Sequence, residues 1–373
     1  MSRLARALLL TLVTAASPLA QSQQEVREDT GRADLSSGLV KSQCGTALHP
    51  RSISQIEVGP FGTYFVRRAG GEVERYSAVG ERLWGVDFSF GEGVEETSLY
   101  DITVSPAGEV FAVGVEHSRH DGAVYRIRHS EASPRIELLA RFRGLQVSSI
   151  VATPSSRLLM TALPVESLDA RRVKTRNGED KWLDVPVLYE LEPEQGHIVR
   201  VLPSRLIRVV DDEIDISGFM RTRFVFSPKG SAFVYQTDHA LLHPFDFSTG
   251  QRGVPVALVD PIKIDPKVAS VMRVQILPGG YFLASSLTAP GGFIDSWEVN
   301  LIDPGNQSVI SLASQQISAA DAFEPAEAVY NPLTDSIHLS NPVGDDDADM
   351  RLLFSNRGLL ARDVLGKLGV RNK

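Results

Sequence analysis

Cysteine, basic runs and known nucleotide-binding motifs are nearly missing from this chain of 373 residues. Its single cysteine, Cys44, excludes an intramolecular disulfide, so stability must come from packing. A formal net charge of −8 without a lysine or arginine run argues against nucleic acid and anionic membrane surfaces as partners. No phosphate-binding glycine loop and no G-x-S-x-G elbow occurs. These absences exclude the commonest nucleotide-binding and serine-hydrolase classes.

Residues 1–20 have the pattern of a secretory signal peptide. Arg3 and Arg6 precede the apolar stretch Ala7–Ala16, and small residues follow. Ten apolar residues are too few to span a bilayer. We therefore expect a secreted or periplasmic protein with no stable membrane insertion after the signal is cleaved.

Behind this segment, residues 21–37 are polar and lack periodicity, which predicts a flexible linker. Residues 38–373 are expected to form one folded domain built from a repeated unit. A turn proline marks the unit at intervals of 46 to 54 residues, with one interval of 74 that contains a charged insertion. These anchor prolines are Pro60, Pro106, Pro154, Pro228, Pro278 and Pro332.

Fixed offsets from the anchor prolines indicate a β-hairpin in every copy. Positions four and two before the proline are apolar in all six copies, the period of a strand with one buried face. Glycine stands two residues after it in four copies, with Ser156 and Thr334 as exceptions, and supplies the positive φ of a tight turn. A large apolar residue stands five after it each time.

The segment Leu99–Arg128 predicts three strands, at Asp101–Ser105, Val110–Val115 and Ala123–Arg128. A fourth strand is predicted at Ile136–Arg141, Val199–Leu202, Val254–Val259 and Leu359–Val364. Four antiparallel strands repeated six times predict an all-β fold, the six-bladed β-propeller. A pair of β-sandwiches is the alternative, and Gly38–Ala47 is a candidate for an added strand in a terminal blade.

The stretches VSPAGEVFAVGV and FSPKGSAFVY, at Pro106 and Pro228, carry a resemblance to known proteins. Over roughly residues 50–365, the chain resembles the six-bladed propellers of the NHL, TolB-like and SMP-30 (gluconolactonase-like) group. The gluconolactonase resemblance implies a metal-dependent enzyme in which carboxylates hold a divalent cation.

Long loops mark one end of the predicted propeller as its working face. Loops between second and third strands, and links between blades, both fall at that end by strand alternation. The predicted segments are Glu116–Gly122, Pro164–Asp184, Leu287–Gly292, Asn341–Asp349, Ser89–Ser98, Pro203–Met220, Pro261–Val268 and Ala313–Pro325. Neutral variation of surface loops is the alternative explanation.

One polar position recurs where the innermost strand is predicted to start. Five residues before the anchor prolines stand Gln55, Asp101, Ser149, Arg223, Arg273 and Glu327. We expect these side chains to ring the mouth of a central channel, with Arg223 and Arg273 holding a carboxylate or another anion. The alternative is that both arginines pair with Asp101 and Glu327 or contact channel water.

Two further groups invite a metal hypothesis. Asp345, Asp347 and Asp349 alternate in the last repeat and are candidate Ca²⁺ ligands, although the glycine and glutamate of an EF-hand loop are missing. A solvated acidic hairpin is the alternative. His117, His120 and Asp121 lie together without a further zinc ligand. We expect no cofactor other than this candidate Ca²⁺.

These observations favour a non-enzymatic protein that binds a protein partner or a small anionic ligand through its long-loop face. The alternative is a metal-dependent lactonase or hydrolase of the SMP-30/gluconolactonase type, with Asp101 and Glu327 as ligands at the channel mouth. Two arginines in the same set of positions would repel a cation, which weighs against this alternative.

Overall fold

The computed structural model describes most of the repeat region in fourteen segments. These segments are residues 39–41, 53–68, 70–78, 81–88, 97–130, 133–164, 181–183, 185–210, 213–277, 279–288, 296–316, 327–333, 336–340 and 353–355. The predicted signal peptide (1–20) and linker (21–37) lie outside them, and so does Cys44.

The protein is an all-β propeller of four-stranded antiparallel sheets, which we call blades. A short strand, β1 (Leu39–Lys41), comes first in the chain. Blade 1 contains β2 (Ile53–Val58), β3 (Tyr64–Arg68), β4 (Glu72–Tyr76) and β5 (Arg82–Asp87). Blade 2 contains β6 (Thr97–Val104), β7 (Val110–Glu116), β8 (Gly122–Ser130) and β9 (Ser133–Phe142). Blade 3 contains β10 (Leu145–Ala152), β11 (Leu158–Pro164), β13 (Leu188–Leu191) and β14 (Ile198–Leu202), with β12 (Lys181–Leu183) preceding β13.

Two insertions, one within blade 3 and one between blades 3 and 4, together form a small accessory sheet. It contains β12, β15 (Ile207–Val210) and β16 (Glu213–Ile214), and a one-turn helix α1 (Ile216–Met220) follows. Part of the long segment predicted at Pro203–Met220 therefore has regular secondary structure. Asp215 caps α1 by accepting a hydrogen bond from the Gly218 N–H at 2.7 Å.

Blade 4 differs from the prediction in its outer edge. It contains β17 (Thr222–Phe226), β18 (Ala232–Gln236), β19 (Leu241–Asp246) and β20 (Gln251–Arg252), with a fifth short strand β21 (Val256–Ala257). Two short strands, β20 and β21, thus pair with β19, and only β21 falls within the predicted Val254–Val259. Pro255 has no N–H to donate, so a continuous ladder cannot run through that segment.

Blade 5 contains β22 (Ala269–Ile276), β23 (Phe282–Thr288), β24 (Ser296–Asp303) and β25 (Ser308–Gln316). These five blades are complete, where the sequence predicts six. The last segment forms a smaller sheet of order β1-β28-β27-β26, from β26 (Glu327–Asn331), β27 (Ser336–Ser340) and β28 (Leu353–Ser355). Its two outer strands have only three residues each, and β1 pairs with β28 as the candidate Gly38–Ala47 segment suggested.

The described strands belong to two compact units. Blades 1 to 4 form the four-blade unit, which comprises Ile53–Ser77 and Arg82–Val256. Blade 5 and the smaller sheet belong to the second unit. No helix of the described chain is long and apolar enough to cross a membrane.

Five of the anchor turns have one three-residue geometry, and the turn at Pro332 differs because Asn331 lies opposite Ser336. In blade 2, the Gly108 N–H donates to the Ser105 carbonyl and the Ser105 N–H to the Glu109 carbonyl, each at 2.8 Å. The residue two after the proline has positive φ in five copies, including Ser156 at 62°. A type I turn closed by a left-handed residue fits the twist of the two flanking strands. The predicted turn is therefore confirmed in these five copies, including the one where Ser156 replaces glycine.

The core lies between neighbouring blades, because the middle strands bury both faces. In β7, Val110 and Ala112 belong to the apolar cluster shared with blade 1, while Phe111 and Val113 belong to the cluster shared with blade 3. A side-chain period of two sends alternate residues to opposite faces of the sheet. A third cluster joins blades 3 and 4 and includes Phe219 of α1. The insertion is thus packed into the core.

Ser156 and Gly230 allow a reciprocal test of the turn geometry. Ser156 has φ 62° and Gly230 has φ 89°, and a Cβ atom added to Gly230 would meet nothing within 4 Å. A side chain in this region costs about 1 kcal/mol. Ser156→Gly should therefore raise the free energy of unfolding by about 1 kcal/mol, and Gly230→Ser should lower it by about 1 kcal/mol. Urea denaturation measures both, and a loss of stability in Ser156→Gly would contradict the assignment.

Candidate functional site

The six recurrent polar residues occupy equivalent positions on the innermost strands. Each stands opposite one residue of the neighbouring strand in its own sheet. The register pairs are Gln55 with Arg67, Asp101 with Val113, Ser149 with Thr161, Arg223 with Tyr235, Arg273 with Ser285 and Glu327 with Ser340. The predicted repeat register is therefore confirmed in five copies, where the opposite residue stands seven after the proline, whereas Ser340 stands eight after Pro332.

A bulge precedes this position in four of the sheets and corrects one expectation. The register shifts by one residue immediately before Gln55, Asp101, Ser149 and Arg273. In three of these sheets the innermost strand starts four residues earlier than predicted, at Thr97, Leu145 and Ala269. The polar position there lies within the strand and not at its first residue, because the bulge lets pairing continue past it.

Side chains at these positions, or two residues further along the same strand face, join one innermost strand to the next. The Gln55 amide donates from Nε2 to the Ile102 carbonyl at 2.8 Å, and its Oε1 accepts the Ile102 N–H at 3.1 Å. One strand further, Asp101 Oδ2 accepts the Ile150 N–H at 2.9 Å. In the second unit, Gln275 contacts Tyr330 through the same pair of bonds, at 2.9 and 2.7 Å. Two of the proposed ligand residues therefore also hold blades together.

Charges of both signs meet around Asp101. We call Gln55, Glu57, Arg67, Asp101 and Arg223 the inner cluster. Burial raises the pKa of the Asp101 carboxyl above its ordinary value, and Glu57 acts in the same direction. The charges of Arg223 and Arg67 and the hydrogen bond from Ile150 oppose that rise. Residues of blades 1, 2 and 4 thus act on one buried carboxyl group.

Arg223 is positioned by the end of helix α1. Its Nη1 donates to the carbonyls of Met220 at 3.0 Å and Thr222 at 2.9 Å. The side chain is half-buried, and within the described chain its Nε and Nη2 donate to no protein group. Carbonyls at a helix C-terminus attract a cation. They fix the guanidinium and leave two of its nitrogen atoms available to a ligand.

The remaining predicted ligand residues lie in other surroundings. Ser149 is buried and contacts Thr161 Oγ1 at 2.7 Å within its own blade. Arg273 is half-buried on β22, and Glu327 is the first residue of β26. Both belong to the second unit, so the inner cluster contains only Gln55, Asp101 and Arg223 of the six.

Two members of the inner cluster were missed by the sequence reasoning. Arg67 donates to Gln55 Oε1 at 3.3 Å and to the Leu99 carbonyl at 3.1 Å, and Glu57 accepts from Gln55 Nε2 at 3.1 Å. Glu57 stands two residues after Gln55 and shares its face of the strand. Arg67 stands opposite Gln55 in the hairpin. Hairpin register counted from the anchor proline was the signal that pointed to both.

Neither metal hypothesis is supported by a site in the described part of the chain. Asp345, Asp347 and Asp349 lie outside the described residues. In the part of the chain that is described, no three His, Cys, Asp or Glu side chains converge as ligands. His117 contacts Ser98 Oγ at 2.6 Å through Nε2.

Blade 3 brings two of its predicted long segments together at one end. Strand β12 lies in the loop between second and third strands, and β15 lies in the link to blade 4. They pair antiparallel with Lys181 opposite Val209 and Leu183 opposite Ile207. For this blade, the loop and the link therefore share one face.

Comparison with known proteins adds a general likeness to propeller structures. Neither protein-family models nor curated proteins match the sequence. The PQQ-bound aldose sugar dehydrogenase of Streptomyces coelicolor is similar at 15% identity and a TM-score of 0.48, over 85% of this chain and 97% of that one. The Cps50 (Swd1) β-propeller domain of Myceliophteria thermophila is similar at 10% identity and a TM-score of 0.43, over 85% of this chain and 99% of that one. A Bacteroides caccae protein of unknown function is similar at 10% identity and a TM-score of 0.43, over 70% of this chain and 81% of that one. Similarity at this distance says nothing about activity.

The Gln55 contact with Ile102 predicts a measurable loss of stability. Ile102 is 1% exposed, so Gln55→Leu leaves its N–H and carbonyl without those partners. We expect the free energy of unfolding to fall by about 1–3 kcal/mol. Gln146→Leu is the matched control, because Gln146 is half-buried on β10 and makes no side-chain hydrogen bond to a described residue. Equal effects of the two variants in urea denaturation would contradict the role of Gln55.

Burial of Asp101 predicts a pH dependence of stability. Because its pKa is raised in the folded state, ionisation costs stability as pH rises from the ordinary Asp value through the folded pKa. The stability of the wild type relative to Asp101→Asn should therefore fall over that window and then level off. Urea denaturation of both proteins over a pH series measures the difference.

Asp246→Asn is the matched control for that pH series. Hydrogen bonds from Ser248 and Thr249 lower the pKa of Asp246, so the wild type should gain stability relative to this variant as pH rises through the acidic range. Parallel trends for Asp101→Asn and Asp246→Asn would contradict the assigned cause.

Proposed function

We propose that this chain is an extracytoplasmic binding protein that holds a small anionic ligand at the inner cluster and does not transform it. The observation that carries the proposal is Arg223. Its guanidinium is fixed by two carbonyls and keeps Nε and Nη2 unused by the described chain. Two adjacent N–H donors on a planar cation match the two oxygens of a carboxylate. Export rests on the sequence of residues 1–20 alone.

A small ligand suits this site better than a protein surface. Asp101 is 5% exposed, and Arg223 and Gln55 are half-buried. Buried polar groups inside a propeller are reached by small molecules, whereas protein partners contact exposed loops. A protein partner at the long-loop face is the second form of this proposal, which the accessory sheet of blade 3 favours. The sequence hypothesis also used Arg273, which belongs to the other unit, so the proposal rests on Arg223.

We also propose that the sheet of β26, β27, β28 and β1 is the sixth blade. Gln275 of β22 contacts Tyr330 of β26 through the same two bonds that join Gln55 to Ile102. This repeated contact gives β26 the position of an innermost strand. The closing strand β1 then comes from the other end of the chain.

The metal-dependent lactonase alternative needs carboxylates arranged around a cation. Asp101 and Glu57 are available in the inner cluster, but Arg67 and Arg223 act on the same position. Their positive charges oppose a bound cation and favour a bound anion. The residues of the inner cluster therefore support anion binding over divalent metal binding.

Arg223→Gln tests the proposal directly. Wild-type protein should melt at a higher temperature in sodium butyrate than in sodium chloride of equal ionic strength, because a ligand of the folded state stabilises it. The stabilisation reaches about 2.7 kcal/mol at a ligand concentration of about one hundred times Kd. Arg223→Gln should abolish the shift in Tm. Arg200→Gln should retain it, since Arg200 is 61% exposed and paired with Glu190 on blade 3.

An unchanged shift in Arg223→Gln would remove Arg223 from the site. Ca²⁺ and EDTA should leave the Tm of the wild type unaltered. A Ca²⁺-induced rise in Tm that disappears in Asp101→Asn would instead support the lactonase alternative.

A further inference from the structure

Asp101 differs from the other buried carboxylates of the four-blade unit in having an unused oxygen. Glu74 Oε1 forms an ion pair with Arg82, and Glu74 Oε2 accepts hydrogen bonds from Arg68 and Tyr76. Glu116 likewise accepts Arg141 at both oxygens. Asp101 is 5% exposed, yet within the described chain only its Oδ2 accepts a hydrogen bond, from the Ile150 N–H at 2.9 Å. Its Oδ1 is left without a protein donor.

The inner cluster therefore contains a cationic group and an anionic group that each have hydrogen-bonding atoms without a protein partner. Arg223 has donor nitrogens without a protein acceptor, and Asp101 has an acceptor oxygen without a protein donor. The charge of Arg223 acts on the Asp101 carboxyl, and the strands that carry the two residues, β17 and β6, both lie against β10 of the intervening blade. Buried polar atoms in folded proteins normally find partners. Because neither atom is fully buried, water or a ligand can be the partner that the described chain does not supply.

We infer that the ligand is a zwitterion, whose anionic group binds Arg223 and whose ammonium group binds Asp101 Oδ1. The inference rests on the proposed anion site at Arg223 and adds a second contact to it. Small amino acids, including those with the amine at the far end of the chain, are the chemical class that fits.

Ligands whose charges all have the same sign fit this cluster less well. A plain carboxylate bound to Arg223 excludes water from Asp101 Oδ1 without replacing it, which leaves a buried acceptor unsatisfied. A dicarboxylate places a second negative charge beside Asp101 and Glu57, where like charges repel. An amine alone leaves Arg223 without an anion. Only a ligand with both charges satisfies both protein groups.

Matched pairs of probes test this inference on the full chain by isothermal titration calorimetry. The pairs are glycine with acetate, β-alanine with propanoate, γ-aminobutyrate with butanoate and ε-aminohexanoate with hexanoate. Within each pair the carboxylate is the same and only the ammonium group differs. At least one amino acid should bind the wild type about tenfold to hundredfold more tightly than its partner, the range expected for a charge-assisted hydrogen bond.

In Asp101→Asn, each amino acid and its matched carboxylate should bind with about equal affinity. Carboxylate binding should persist, because the amide still accepts the Ile150 N–H but carries no charge. Arg223→Gln should lose both members of every pair. Asp246→Asn should keep the wild-type ratio, since Asp246 is an exposed turn residue of blade 4. If Asp101→Asn does not fold, the ratio in the wild type decides alone.

Two results overturn the inference, and they are distinguishable. Equal affinities within all four pairs would show that no ammonium site exists, while the anion site at Arg223 would stand. Absence of binding by every carboxylate and every amino acid would overturn the anion site and this inference together. A wild-type ratio that survives Asp101→Asn would move the ammonium contact away from Asp101.

Discussion

Neighbouring blades of this propeller are joined at their innermost strands by side chains that bind backbone groups. In the described sheets no backbone ladder runs from one innermost strand to the next. The amide of Gln55 supplies the donor and the acceptor that a neighbouring peptide group would supply, and Gln275 does the same in the second unit. Asp101 and Thr103 continue the contact from blade 2 to the Ile150 and Ala152 N–H groups of blade 3. Buried backbone groups need such partners, so the inner positions must be polar.

That requirement explains why the candidate site lies on the innermost strands. A side chain that satisfies a neighbouring backbone group is buried and held in one orientation. Asp101 meets this structural need with one oxygen, and we propose that the other contacts a ligand. A site built in this way on strands is more rigid than one built on loops, and rigid placement lowers the entropy lost on binding.

Arg223 depends on a different element, the insertion between blades 3 and 4. Phe219 of α1 packs in the apolar cluster between those blades, and the end of the helix supplies the Met220 carbonyl that holds Arg223. The accessory sheet pairs a loop segment with a linker segment far apart in sequence. An insertion that interrupts the repeat thus positions one of the two charged groups that we assign to the ligand.

Local regularity in the chain was enough to predict the strands, the turns and the polar inner position. Proline, glycine and alternating apolar residues act over a few bonds, so the hairpins could be recognised without a structure; Ser156 shows that the turn keeps its φ even without glycine. The hydrogen bonds between blades could not be predicted from the sequence, because they join residues 47 to 49 positions apart and depend on side-chain geometry. Whether a polar side chain contacts the backbone of the neighbouring blade, as Asp101 does, or a side chain of its own blade, as Ser149 does, depends on bulges and burial. Those arise only when the sheets pack against one another, and the tertiary structure alone decided them.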